Sequence, residues 1–281
     1  CFGDAVEIRH APGCSIDKSV PVIDGHRLAT PDGRPGFEVH IDDRGSRERL
    51  TTLHRPDGRI VVIARQDDGV PISGFGLSAH ASLVVESGGL HTFSLIEASP
   101  CRLLVDGHVV IDGTELPPPG DTFFGLFRQE LTADVELEAG RAHDIVLECD
   151  ALERQWAHGG QIGLRRVETT DPVVEARDLA ASSDVAIVVV GTNDDWESEG
   201  HDRSTLDLPG RQVELIRAVA AVNPRTVVLV NSGAPVDMSW VDDVPAVMQI
   251  WFGGQEMAPA VADVLTGESD PGGRLPTTIP L

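Results

Sequence analysis

The sequence predicts an α/β fold interrupted by an all-β module. Three observations carry this. Apolar residues recur with period two between residues 37 and about 167 and with the helical period of about 3.6 from residue 170 onward. A turn-rich linker, Thr30-Pro31-Asp32-Gly33-Arg34-Pro35-Gly36, precedes the period-two region. No segment between them shows helical spacing of useful length.

The elements follow in order. Residues 1–23 offer a strand candidate at Ala5–Arg9 and then Ala11-Pro12-Gly13-Cys14. Within a β module of residues 24–168, short alternating runs predict strands at Phe37–Ile41, Ile60–Ala64, Ser82–Val85, His91–Ile96, Arg102–Val105, Val109–Ile111, Glu130–Leu137, His143–Cys149 and Gln161–Val167. Asp106-Gly107 between Leu103-Leu104-Val105 and His108-Val109-Val110 marks a two-residue hairpin, because both turn positions need positive φ. From 169 to 281 the pattern is αβαββα. Asp171-Pro172 caps and opens a helix to about Ala181, Pro209 opens a second that Asn223-Pro224 stops, and Gly254–Leu265 forms a third ended by Gly267. The apolar run at 185–190 reads as a strand of a parallel sheet, the continuous apolar run at 227–230 as a strand buried on both faces, and Ala246–Trp251 as a third strand. Trp251 and Phe252 read as core.

The totals narrow the partners. A chain of 281 residues holds one or two domains and a sizeable core. A net charge of −23 argues against nucleic acid and against an anionic membrane surface. No apolar run approaches the length of a membrane span. Cys1, Cys14, Cys101 and Cys149 show neither CxxC nor zinc spacing, so buried free thiols are expected rather than a disulfide. The chain opens on Cys1-Phe2-Gly3-Asp4 without an initiator Met, which reads as a piece of a longer protein, and its compartment stays open.

The chemistry gathers in the loop Gly191–Pro209. Asp194, Asp195, Glu197, Glu199 and Asp202 crowd together with Trp196, His201 and Arg203, directly after an apolar strand. Ligands of open α/β sheets meet the crevice outside the carboxyl ends of the strands, where this loop begins. Other chemistries lack their parts. No glycine-rich phosphate cradle follows a strand, Ser232 stands in Asn-Ser-Gly-Ala rather than in a nucleophile elbow, and the histidines form no ligand cluster, so neither cofactor nor metal is expected. Asp42-Asp43 and Asp67-Asp68 invite a calcium reading, but turn chemistry explains them equally well.

Seven stretches in order give the chain a family resemblance: Val-Val-Val-Gly-Thr-Asn (188–193), Trp-Glu-Ser-Glu-Gly-His-Asp-Arg (196–203), Asp-Leu-Pro-Gly (207–210), Val-Asn-Ser-Gly-Ala-Pro-Val (230–236), Trp-Phe-Gly-Gly-Gln-Glu (251–256), Ala-Asp-Val-Leu-Thr-Gly (262–267) and Asp-Pro-Gly-Gly-Arg-Leu-Pro (270–276). They resemble the α/β sandwich domain of family 3 glycoside hydrolases, the β-glucosidase family. Residues 1–23 resemble that domain's earlier edge, and residues from about 35 to 167 an inserted PA14 module. The resemblance implies a retaining hydrolase of terminal non-reducing β-linked sugars, with an Asp nucleophile on a TIM-barrel domain of the same parent chain and a Glu acid/base on the sandwich. That Glu precedes Gly-His-Asp-Arg and falls on Glu199, with Glu197 the second choice. No barrel is present in the sequence, so the chain by itself is expected to be inactive. A carbohydrate-binding PA14 protein without catalysis is the alternative.

Bland readings stand beside these. A loop acid such as Glu199 is ordinarily just solvated; the ordered motifs reverse that. Trp196 stacks on a sugar or packs. Asp202 and Arg203 form an ion pair that orients the loop together with His201. Phe123 and Phe124, in a loop after three prolines, line the leaving-group space or pin the surface.

Overall fold

A computed structural model gives the fold and describes residues 6–63, 66–67, 69–120, 127–151, 157–197 and 202–280. The chain divides into two compact units, Ser19–Val167 and Cys1–Lys18 with Glu168–Leu281. Among the described residues no helix is long and apolar enough to cross a membrane.

The first unit is a sandwich of two antiparallel sheets. Its strands are β1 (Leu28–Ala29), β2 (Phe37–Asp43), β3 (Arg49–Arg55), β4 (Arg59–Ile63), β5 (Phe75–Val84), β6 (Gly89–Glu97), β7 (Cys101–Val105), β8 (His108–Asp112), β9 (Leu131–Leu137), β10 (Ala142–Asp150) and β11 (Ala157–Arg166). One sheet runs β3-β2-β5-β10-β7-β8 with β1 paired to β5; the other runs β4-β11-β6-β9. Alternate residues of both sheets meet in a shared core that includes Phe37, Ile41, Phe75, Leu83, Phe93, Leu103, Ile145 and Ile162. The Asp-Gly hairpin forms as expected: Asp106 and Gly107 take φ of 49° and 78° between β7 and β8.

Several expectations need correction. Residues 6–9 form no strand. Residues 19–23, expected with the α/β part, belong to the β unit, because Val22 bridges Gly163 and Ile23 N–H donates to Ile162 O at 3.1 Å. The strand expected at Ser82–Val85 is the end of the ten-residue β5, which stops at Val84 and whose inward residues include the small Ala79 and Ala81. Cys101 and Cys149 are not free thiols; β7 and β10 place them opposite one another, Cα atoms 4.1 Å apart, as a disulfide. Cys14 is free, and Cys1 lies outside the described residues.

The second unit holds α1 (Pro172–Ala181), β12 (Ala186–Gly191), α2 (Gln212–Ala220), β13 (Thr226–Asn231), β14 (Ala246–Gln249) and α3 (Met257–Thr266). The strands form a parallel sheet in the order β12-β13-β14. Asp171 caps α1 by accepting from Val173 N–H at 3.0 Å, with Pro172 in the first turn where no donor is lost. Asn223 stops α2 and ties its end to α1, donating to Ala180 O at 3.0 Å and Ser183 O at 2.9 Å. Val173, Ala180, Ile216 and Val219 of these helices cluster with Val188, Val190, Val228 and Val230 and with the fully buried Trp240. β13 is buried at Val228, Leu229 and Val230 in succession, as a central strand should be. β12 is covered on one face alone: Ile187 and Val189 are 51% and 60% exposed. α3 starts three residues later than expected, with Pro259 in its first turn and Gly267 closing it at φ 79°.

Candidate active site

The loop expected to carry the chemistry leaves the carboxyl end of β12, and its start is fixed by backbone crowding. A Cβ on Gly191 would stand 1.8 Å from Asn231 O, so only glycine lets β12 and β13 finish side by side. The buried Gln212, at the start of α2, grips the same residue. Its Oε1 accepts from Gly191 N–H at 2.6 Å, while Nε2 donates to Gly191 O at 2.8 Å and Pro209 O at 2.9 Å. Gln212→Ala leaves those backbone groups unpaired, and it is expected to cost about 2 kcal/mol in urea unfolding of the chain.

Beyond Gly191 the loop folds on itself. Asn193 receives Asp195 N–H through its side chain at 3.1 Å, and its carbonyl receives Trp196 N–H and Glu197 N–H at 3.0 and 2.9 Å. That turn brings Glu197 back to Thr192, whose hydroxyl donates to Glu197 Oε1 at 2.6 Å. Arg203 reaches the same oxygen at 3.7 Å and donates through Nη2 to Pro235 O at 2.6 Å. Both side chains are largely shielded, 15% exposed for Glu197 and 11% for Arg203. The other Glu197 oxygen lies over Gly233: a Cβ there would stand 2.5 Å from Oε2 and 2.9 Å from Phe252 Cε2. Thr192, Glu197, Arg203 and Pro235 therefore tie the two described flanks of residues 198–201 to the exit of β13.

The expected partners rearrange accordingly. Arg203 pairs with Glu197 rather than with Asp202, which is exposed. Trp196 turns its indole N–H to Ile16 O at 2.6 Å and carries the Lys18 ammonium 4.5 Å above its ring, so it clamps the 16–18 segment. Trp251 and Phe252 are not core. Trp251 is half-buried and holds a left-handed φ of 53°, and Phe252 is 51% exposed beside Glu197. Glu199, His201, Phe123 and Phe124 lie outside the described residues. Sequence reasoning missed Thr192, Gln212 and Lys18; none sits in a spacing that signals its partner. Arg203 Nη1 and Asn231 Oδ1 are buried without a hydrogen-bond partner among the described residues. Among the described residues no group of three or more His, Cys, Asp or Glu is arranged to hold a metal.

Residues 44–281 match the model of the glycosyl hydrolase family 3 C-terminal domain. The chain belongs to that family. It is 34% identical over 287 residues to a beta-glucosidase of Rhizobium radiobacter, covering 99% of this chain and 34% of that protein. A probable beta-glucosidase J of Neosartorya fischeri is 30% identical over 298 residues, covering 98% and 34%. Among solved structures, a beta-glucosidase from Kluyveromyces marxianus superposes with TM-score 0.83 at 28% identity, and one from the same organism in complex with glucose with TM-score 0.81 at 26% identity; each covers 98% of this chain and 34% of that one. The chain thus spans about a third of the length of these family 3 relatives.

Proposed function

We propose that this chain is the acid/base-bearing part of a retaining β-glycosidase of the β-glucosidase type, acting on terminal non-reducing β-linked sugars. The family match supports the chemistry. The observation that carries the residue assignment is the occupied state of Glu197. That carboxylate already accepts from Thr192 and faces Arg203, so it anchors the loop, and the proton-transfer role falls to its neighbour Glu199. Glu199 protonates the leaving-group oxygen and then takes a proton from the water that cleaves the glycosyl-enzyme. An Asp nucleophile comes from a TIM-barrel domain of the parent protein and stands about 5–5.5 Å from the acid/base, the separation that retaining chemistry needs. The β unit is a PA14-like module, and Phe123 and Phe124 shape the leaving-group side.

Azide tests the assignment. In the full-length enzyme carrying Glu199→Gln, an activated aryl glucoside still glycosylates the nucleophile, but no base activates water. Azide needs no such base. It is expected to restore turnover and to yield β-glucosyl azide. Rescue at Glu197→Gln and not at Glu199→Gln overturns the assignment.

A further inference from the structure

We propose that Lys18 is a positioning residue for the loop Gly191–Pro209, acting through the ring of Trp196; the proposal rests on the hydrolase reading of that loop. Lys18 is the one lysine in a chain with 22 Lys and Arg residues. It closes the segment Ser15–Lys18, whose contacts to Trp196 come two residues apart. Ile16 O accepts the Trp196 indole N–H at 2.6 Å, at the edge of the ring. The Lys18 ammonium stands 4.5 Å from the ring centroid, over its face. Edge and face of one indole are thus held by a single stretch of three residues. The ring cannot turn about either side-chain torsion without losing one of the two contacts.

The backbone carries this hold into the loop. Lys18 N–H donates to Asp195 Oδ2 at 3.3 Å, and Asp195 N–H donates in turn to Asn193 Oδ1 at 3.1 Å. The same segment meets the far end of the loop. Gly210 takes a left-handed φ of 64°, and a Cβ there would stand 2.7 Å from Ser15 O. Gln212 already ties Gly191 to Pro209, so the loop's ends are joined to one another while its turn is pinned to residues 15–18. Trp196 and Glu197 are consecutive and share Asn193 O as acceptor, so the place of the indole sets where Glu197 meets Thr192. Glu199 follows two residues later in the chain.

Charge is what separates this role from plain cover. Asp17, the neighbour of Lys18, accepts from the Ser15 hydroxyl at 2.6 Å and orders the approach to it. Lys18 is exposed and Trp196 half-buried, so any long side chain at position 18 could shelter the ring with its stem. The ammonium adds attraction to the negative face of the indole. A neutral side chain of equal length keeps the shelter and loses the attraction, which at an exposed site is worth about a threefold preference for the held turn. Arginine keeps a cation over the ring.

A single lysine gives a single label. Reductive methylation of the 281-residue chain with isotope-labelled formaldehyde marks Lys18 and the α-amino group and no other side chain, and it preserves the ammonium charge. The Lys18 methyl resonance is expected upfield of its position in urea, displaced by the Trp196 ring current, and back at that position in Trp196→Leu. A resonance that shows no upfield displacement overturns the proposal. In the full-length enzyme, Lys18→Met should lower kcat/KM by about threefold for sugar and dinitrophenyl glucosides alike, as for a residue that shapes the loop, and Lys18→Arg should restore most of it. Equal losses in Lys18→Met and Lys18→Arg also overturn the proposal, because the cation would then contribute nothing. A full-length enzyme that turns over no β-glucoside removes the hydrolase reading instead, and the resonance then decides by itself whether Lys18 holds the loop.

Discussion

Glu199→Gln is expected to lower kcat/KM of the full-length enzyme by about 10³-fold for a glucoside with a sugar or alkyl leaving group, within the 10²–10⁴ range of general acid catalysis. For a dinitrophenyl glucoside the loss in the same step should stay below about tenfold, because that phenolate departs without a proton and needs little help from an acid. The asymmetry is the diagnostic. A residue that merely shapes the loop would depress both substrates together. Glu197→Gln supplies that comparison, since it weakens the hold on Arg203 and turns an ion-paired acceptor into a neutral one. It is expected to reduce both substrates by a similar factor and to cost about 1–2 kcal/mol of stability, as for a shielded charge-assisted contact. Equal losses on both substrates at Glu199→Gln remove the acid role. A leaving-group asymmetry at Glu197→Gln instead moves the role there.

How much of this was readable depends on whether a feature is local. The β7–β8 hairpin announces itself because Asp106 and Gly107 are adjacent and suited to positive φ. Helix α1 does so because its cap and first-turn proline are neighbours in sequence. Strand β3 escaped because it is an edge strand: Arg49–Arg55 has no buried residue, and its period is blurred by Leu50, which is 43% exposed. The Cys101–Cys149 pair escaped because its partners are 48 residues apart and meet only through the β7–β10 register. The loop after β12 was legible as a concentration of acids but not as a circuit. That Arg203 turns to Glu197 rather than to adjacent Asp202 follows from the Asn193 turn, which brings Glu197 inward beside Thr192. Gln212 grips Gly191 from 21 residues away, and nothing in the intervening sequence points to it.

Glu97 gives the second large effect, in stability rather than rate. It ends β6 with no exposed surface, and sequence reading passed over it as one acid in an alternating strand. The fold makes room for it with Gly113, where a Cβ would stand 2.3 Å from Glu97 Oε2. One carboxylate oxygen accepts from Cys101 N–H at 3.0 Å; the other has no hydrogen-bond partner among the described residues. Loss of water around the carboxylate pushes its pKa up to about 7 from 4.5, against the opposing pull of the Cys101 N–H and of the Arg128 charge, while Asp112 adds to the rise. The folded protein therefore holds this proton where the unfolded chain has released it. Stability from this group is complete below pH 4.5, falls as pH rises toward 7, and changes no further above that. Across that window the loss amounts to about 3 kcal/mol, since each pKa unit is worth a little over 1 kcal/mol. Glu97→Gln cannot ionise, so its stability relative to the parent should climb by about that amount between pH 4.5 and pH 8 in paired urea unfolding curves. The subtraction removes His80, whose half-buried ring titrates below its usual 6.5 and whose contribution runs the other way, being lost as pH falls. It also removes carboxylates such as Asp106 and Asp171, held below their usual range by their hydrogen bonds, whose contributions fade only at still lower pH. A difference that stays flat across the window would mean that Glu97 ionises as readily folded as unfolded, and that the Arg128 charge and the Cys101 N–H already offset its burial.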